Sequence, residues 1–168
     1  MEERRYTTID RAQTDWGAGP WDTECDKIQW PDAATGLPCL AVRHARLGHW
    51  CGYVGVRAGH PAFGQRYDDV DVQVHGGLTY AGLCNPHVDA ATGICHVPGP
   101  GESDHVYWLG FDCAHAFDLV PHLHSVERSM QWDHDFDDEY RTLEYVREEC
   151  RQLAAQLAAM QKEVSHAR

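Results

Sequence analysis

Two short stretches of this 168-residue chain carry the residue types best suited to chemistry. In VQVHGGLTY a histidine, His75, stands immediately before Gly76 and Gly77. Paired glycines let the backbone take unusual dihedrals and let a ligand come close, so His75 is placed to act as a general acid or base beside an open approach. In WLGFDCAHAFD an aromatic run ends in Asp112, Cys113, His115 and Asp118, spaced D-C-x-H-x-x-D. Residues three apart share one side of a helically turning segment, so Asp112, His115 and Asp118 can form one polar edge. Such a set can fix an imidazole tautomer or hold a divalent cation. The plainer readings are a hydrogen-bonded structural histidine at His75 and a turn cap at Asp112. Cys113, and Cys51 in HWCGYVG, become nucleophiles only if a neighbouring histidine lowers the thiol pKa; each also fits as a small buried hydrophobe.

A second group lies in LCNPHVDAATGICHVPGPGESD. Cys84, His87, Cys95 and His96 read C-x2-H-x7-C-H, two thiolates and two imidazoles of the kind zinc takes in a tetrahedral site. The metal set expected here is Cys84, Cys95 and His96, with Cys113 joining from the next segment. In GHPAFGQRYDDVD, Arg66 and Tyr67 are candidates to orient an anionic or ring-bearing small polar ligand, with Gly76, Gly77 and Asp118 lining the same site.

These residues need elements to hold them. Residues 1–24 show no persistent period and read as a flexible arm. KIQW, LPCLAVRH and HWCGYVGV are short apolar runs separated by turn signals, a meander of strands. VDVQVH alternates strictly, with Val70, Val72 and Val74 on one face, which predicts a half-buried strand ending at His75. HVYWLGF predicts another strand. From residue 137 to 168 there is neither Gly nor Pro, and the start is acidic, as a helix N-terminus prefers. Leu143, Val146, Cys150, Leu153, Leu157, Met160 and Val164 follow a heptad spacing, so the second half of this helix is expected to be a coiled-coil segment joining copies into a homo-oligomer. The expected fold is α+β: a small, mostly antiparallel sheet of about five strands, with the domain spanning 25–145 and a long C-terminal helix packed on one face.

With 26 acidic and 14 basic side chains the net charge is -12, which disfavours general nucleic-acid binding. No apolar run is long enough to span a bilayer, and the first residues lack a signal-peptide core, so a cytoplasmic protein without a membrane partner is expected. The seven cysteines are expected as thiols or metal ligands rather than as a disulfide scaffold.

The chain resembles a family of small phage and prophage proteins through GPWDTECDKIQW, ATGLPCLAVR, CGYVGV, GHPAFGQRYDD, VHGGLTYAG, ICHVPGPGE and WLGFDCAHAFD. The family's signature elements fall here on His75, Gly76 and Gly77, and on Gly110, Phe111, Asp112, Ala114 and His115. In relatives the positions of Cys51 and Cys113 can hold other small residues, which weakens both as nucleophiles. The resemblance implies a viral protein acting in a bacterial host cytoplasm on small-molecule or defence pathways. Two functions are expected. One is a hydrolase or group-transfer enzyme using His75, Asp112 and His115, with zinc or another divalent metal. The other is a non-catalytic protein that sequesters a signalling nucleotide or inhibits a host defence protein.

Overall fold

In the computed structural model, residues 1–85, 87–130 and 137–166 are described, with side chains as far as 162. The centre is a six-stranded sheet in which every neighbouring pair is antiparallel. Its strands are β1 (Arg4–Tyr6), β2 (Lys27–Pro31), β3 (Pro38–Arg43), β4 (Trp50–Val56), β5 (Tyr80–Leu83) and β6 (Tyr107–Asp112), in the order β1-β2-β3-β4-β6-β5. Two helices follow, α1 (Pro121–Ser129) and α2 (Leu143–His166). The α+β expectation holds, with β1 and β5 as strands the sequence reading did not place and with residues 70–74 left outside the sheet.

Side chains alternate across the sheet, and so they build two cores. Ile28, Trp30, Cys39, Ala41, Trp50, Val54, Leu109 and Phe111 form the larger one with Val146, Cys150, Leu153, Ala154 and Leu157 of α2. Each fully buried leucine of the helix contributes about 1.5–3 kcal/mol by leaving water. Close approach of helix to sheet depends on Gly52, because a Cβ there would lie 2.9 Å from Cys150 Sγ. On the opposite face Leu40, Tyr53, Val106 and Trp108 form a smaller core.

The heptad stripe therefore serves the chain's own sheet. Val146, Cys150, Leu153 and Leu157 are fully buried in this chain, and Leu143 and Met160 pack on the same core. A stripe turned inward is closed to a coiled-coil partner as far as Met160; the side chain of Val164 lies outside the described residues. The helix also begins later than residue 137. Its N-terminal Leu143 N–H is capped by Glu24 Oε1 at 3.0 Å and the Tyr145 N–H by Thr142 Oγ1 at 3.3 Å, which marks Thr142 as the N-cap.

Residues 1–24 are not a free arm. β1 pairs with β2, and Trp16 and Trp21 are buried. Their indole N–H groups donate to Arg46 O (2.8 Å) and Gly17 O (3.0 Å). Asp26 pins the stretch by accepting from Thr8 N (2.7 Å), Ile9 N (2.8 Å) and the Arg11 guanidinium.

Residues 70–74 do not form a strand. Their alternation is real, since Val70, Val72 and Val74 all pack against the larger core. Their backbone, however, pairs with side chains of α2. Gln73 N–H donates to Gln156 Oε1 (2.8 Å), Gln156 Nε2 donates to Gln73 O (2.7 Å), and His75 N–H donates to Glu149 Oε2 (2.8 Å). An extended segment laid along a helix satisfies its polar groups this way without a neighbouring strand.

Candidate functional site

The helix that holds residues 70–75 also sets His75. Its Nδ1 lies 2.9 Å from Tyr145 Oη on α2, and its Nε2 lies 2.7 Å from Asp118 Oδ2. Asp118 in turn accepts from Arg141 Nε at 2.8 Å through Oδ1 and from the His115 N–H at 3.0 Å through Oδ2. Arg141 lies over the Tyr145 ring, 5.0 Å from its centroid. The start of α2 and the residues just before it thus grip both His75 and its carboxylate.

His115 completes the cluster. Its ring meets that of His75 edge-on at 5.6 Å between centroids, and its Nδ1 lies 3.8 Å from both Asp118 Oδ2 and Asp112 Oδ1. That nitrogen is buried and has no hydrogen-bond partner. One donor atom from each of His75, His115 and Asp118 lies within 4.8 Å of the others. Side-chain exposure rises from 1% at Asp118 through 13% at His75 to 33% at His115, so the cluster opens to solvent at His115.

Local backbone explains the convergence. The Asp118 N–H donates to His115 O (3.1 Å), closing a tight turn after β6. Phe117 within it has φ 71°, a left-handed conformation that costs a non-glycine residue of order 1–3 kcal/mol. The turn is held by the Glu139 N–H bonding Phe117 O (2.9 Å) and the Leu119 N–H bonding Glu139 O (3.0 Å). Gly76 has φ +64°, and a Cβ built there would fall into the His115 ring. The first glycine of the His-Gly-Gly element is therefore required twice, by dihedral and by space. Gly77 has φ +86° and open space around it.

Burial pushes the Asp118 carboxyl up, and the hydrogen bonds from Arg141, His75 and the His115 backbone more than offset it, leaving the group below its ordinary value. The carboxylate is thus ionised and only accepts. It follows that His75 Nε2 carries a proton, and in the neutral ring Nδ1 accepts from the Tyr145 hydroxyl.

The sequence-derived candidates divide. His75, His115 and Asp118 come together. Asp112 sits at the margin: its Oδ1 accepts the Ala114 N–H (3.1 Å), the turn-capping role. Arg66 is exposed and engaged by Asp68 at 2.7 Å, and Tyr67 is exposed on the same turn; no hydrogen bond, ion pair or ring contact ties either to the histidines among the described residues. The zinc set of the long loop is overturned, because Cys84 and Cys95 form a disulfide and offer no thiolates. His96 is buried edge-on to Trp108, His87 bonds through its N–H to Asn85 Oδ1 at 3.0 Å, and Cys113 lies in the larger core. Burial pushes the Cys113 thiol far up and takes that of Cys51 up to about 12, the reverse of what a nucleophile needs.

Sequence reasoning missed Tyr145, Arg141 and Glu149. Tyr145 and Glu149 stood out only as polar residues interrupting the helix stripe, which any solvated helix face shows, and Arg141 only as a charged residue just before the helix.

Comparison with protein-family models, with curated proteins and with solved structures found no match. Among the described residues no helix is long and apolar enough to cross a membrane.

Proposed function

We propose that this protein is a small hydrolase or related group-transfer enzyme acting on a small polar substrate, with a divalent cation, zinc by preference, held by His75, His115 and Asp118. The observation that carries this reading is the meeting of three ligand-type atoms within 4.8 Å, one of which, His115 Nδ1, is buried without a partner. A buried polar atom left unpaired costs about 1–3 kcal/mol, and a cation at this point removes that cost. Two imidazoles and a carboxylate are a donor set zinc accepts, and three protein ligands with a fourth position open distinguish catalytic zinc sites from closed structural ones.

The surrounding groups support the same reading. Asp118 is already ionised and needs no proton removed before it binds a cation. His75 must bring a bare Nε2 to the ion, so its proton has to sit on Nδ1. The Tyr145 hydroxyl can accept from Nδ1–H as readily as it donates to a bare Nδ1, and so it serves both tautomers. Arg141 holds the second oxygen of Asp118 and fixes the direction of the first. Bound metal of this kind lowers the pKa of a coordinated water toward neutrality. The solvent-side position of His115 leaves that face of the cluster open to substrate.

The test is elemental analysis of natively purified protein together with turnover on a panel of phosphate and carboxylic esters. About one zinc per chain is expected, lost in His75→Ala, His115→Ala and Asp118→Asn, with turnover abolished in each while circular dichroism stays unchanged. Substoichiometric metal combined with full activity in the histidine variants ends the proposal.

A further inference from the structure

The smaller core is roofed by the connection from β5 to β6, of which residues 84, 85 and 87–106 are described; Lys27 and Gln29 of β2 fasten it, as does the Met1 ammonium, paired with Glu102 Oε1 at 2.7 Å. Lys27 of β2, fully buried, donates its ammonium protons to Ala90 O (2.5 Å), Gly93 O (2.5 Å) and Cys95 O (2.6 Å). Gln29 exchanges hydrogen bonds with Val97, its Nε2 donating to Val97 O (3.1 Å) and its Oε1 accepting the Val97 N–H (2.9 Å). All three carbonyls that hold Lys27 belong to the ring closed by the Cys84–Cys95 disulfide, whose sequence separation is 11.

We propose that the Cys84–Cys95 disulfide is a redox-operated clip that holds this roof on the sheet, and that a dithiol reductant opens it. One reductant thiolate attacks Sγ of Cys84, the less buried of the two cysteines, forming a mixed disulfide and expelling the Cys95 thiolate. The second reductant thiol then closes its own disulfide and releases Cys84. Two electrons pass to the protein, and both thiolates take up protons.

Three features make this a switch. First, the carbonyl cage is assembled by the ring; in the chain-entropy account a cross-link over about 15 residues favours the closed form by roughly a hundredfold. Without it the cage must be ordered at full entropic cost, and a buried ammonium that loses its acceptors is strongly disfavoured, so the roof leaves as a unit. Second, His96 follows Cys95 directly and is buried with neither ring nitrogen bonded, and the Nε1 of Trp108 beneath it is also without a partner. Lifting the roof relieves all three atoms. Third, the other cysteines are poor exchangers: Cys39, Cys113 and Cys150 are buried, and burial raises the thiol pKa of each and of Cys25 and Cys51. Reduction is therefore read at one place. Cys84 also follows β5 directly, and β5 begins three residues after Gly77, so release of the clip frees the edge strand leading from His75.

Hydrogen exchange by mass spectrometry on the full chain tests this, comparing oxidised protein, protein treated with dithiothreitol, and the Cys84→Ser/Cys95→Ser double variant. Exchange across residues 80–97 is expected to quicken at least tenfold in the last two, with β2, β3, β4 and α2 unchanged. Equal exchange in all three forms overturns the proposal. So does faster exchange throughout the chain, which makes the bond a global staple, and so does alkylation of both cysteines in protein purified without reductant. None of these readouts depends on the chemistry proposed at His75.

Discussion

His75 and Asp118 meet at 2.7 Å between Nε2 and Oδ2, although 43 residues separate them along the chain, and the aspartate is gripped at the same time by Arg141 and by the His115 N–H. Removing a carboxylate that accepts three hydrogen bonds leaves donors unpaired in a buried setting. Asp118→Ala is expected to cost about 3 kcal/mol, each charged hydrogen bond being worth some 1.5–3 kcal/mol before relaxation. Urea unfolding measures it, and a loss below half that figure would show Arg141 and His75 finding other acceptors.

Glu24 and Asp118, the more buried of the carboxylates held below their ordinary range, contribute to acid sensitivity. Burial raises the Glu24 carboxyl, and the Leu143 N–H, Tyr140, Arg43 and Trp50 more than reverse this; Asp118 is lowered in the same manner. A group whose folded pKa lies below its unfolded one stabilises the fold above the unfolded value, about 4, and that stabilisation is lost as pH falls through the folded value. Stability measured by urea midpoint should hold between pH 7 and 5 and then decline steadily toward pH 2. In Glu24→Gln and Asp118→Asn the decline should be shallower from a lower start.

The two glycines after His75 should respond unequally to alanine. At Gly77 only the positive φ opposes a Cβ, a penalty of about 1–2 kcal/mol. At Gly76 the same penalty adds to a collision with the His115 ring, so His115 must move and the cation site with it. Zinc titration followed by calorimetry is expected to show near-normal affinity for Gly77→Ala and none measurable for Gly76→Ala.

Tyr145→Phe removes the hydroxyl that receives His75 Nδ1 and keeps the ring under Arg141. Loss of an outer-shell partner of a metal-bound histidine lowers affinity about 10–100-fold. Cobalt substitution, read by its visible absorption, reports both affinity and geometry. An unchanged spectrum and affinity would mean that Tyr145 serves packing alone.

Much of the architecture was legible because it rests on periodicity. The meander, the strand at Trp108 and the heptad stripe of α2 follow from where apolar residues recur. What periodicity does not contain is the identity of the partner. Val70, Val72 and Val74 alternate as a strand does, yet Gln156 and Glu149 take the place of a neighbouring strand. The α2 stripe meets β3 and β4 of its own chain.

Both histidines of the cluster and Asp118 stood out in the sequence, but the catalytic weight was placed on Asp112 and not on Asp118. Asp112 ends a strand and attracts attention, but the turn at Phe117 carries Asp118 inward and leaves Asp112 to cap. Nothing local announces a left-handed phenylalanine. Cys84 and Cys95 offered the same spacing to zinc and to each other, and only their meeting in space decides between them.

Glu24 receives the Leu143 N–H across a sequence separation of 119 residues while also binding Arg43, Trp50 and Tyr140. A ribosome adding about 5–20 residues per second would deliver the helix cap's acceptor on the order of ten seconds before the helix it serves. During that interval Arg43 and Trp50 can already hold the carboxylate in place. The last helix then arrives at a docking point assembled in advance, and its closure becomes a late step whose rate is set by long-range search and not by local helix formation.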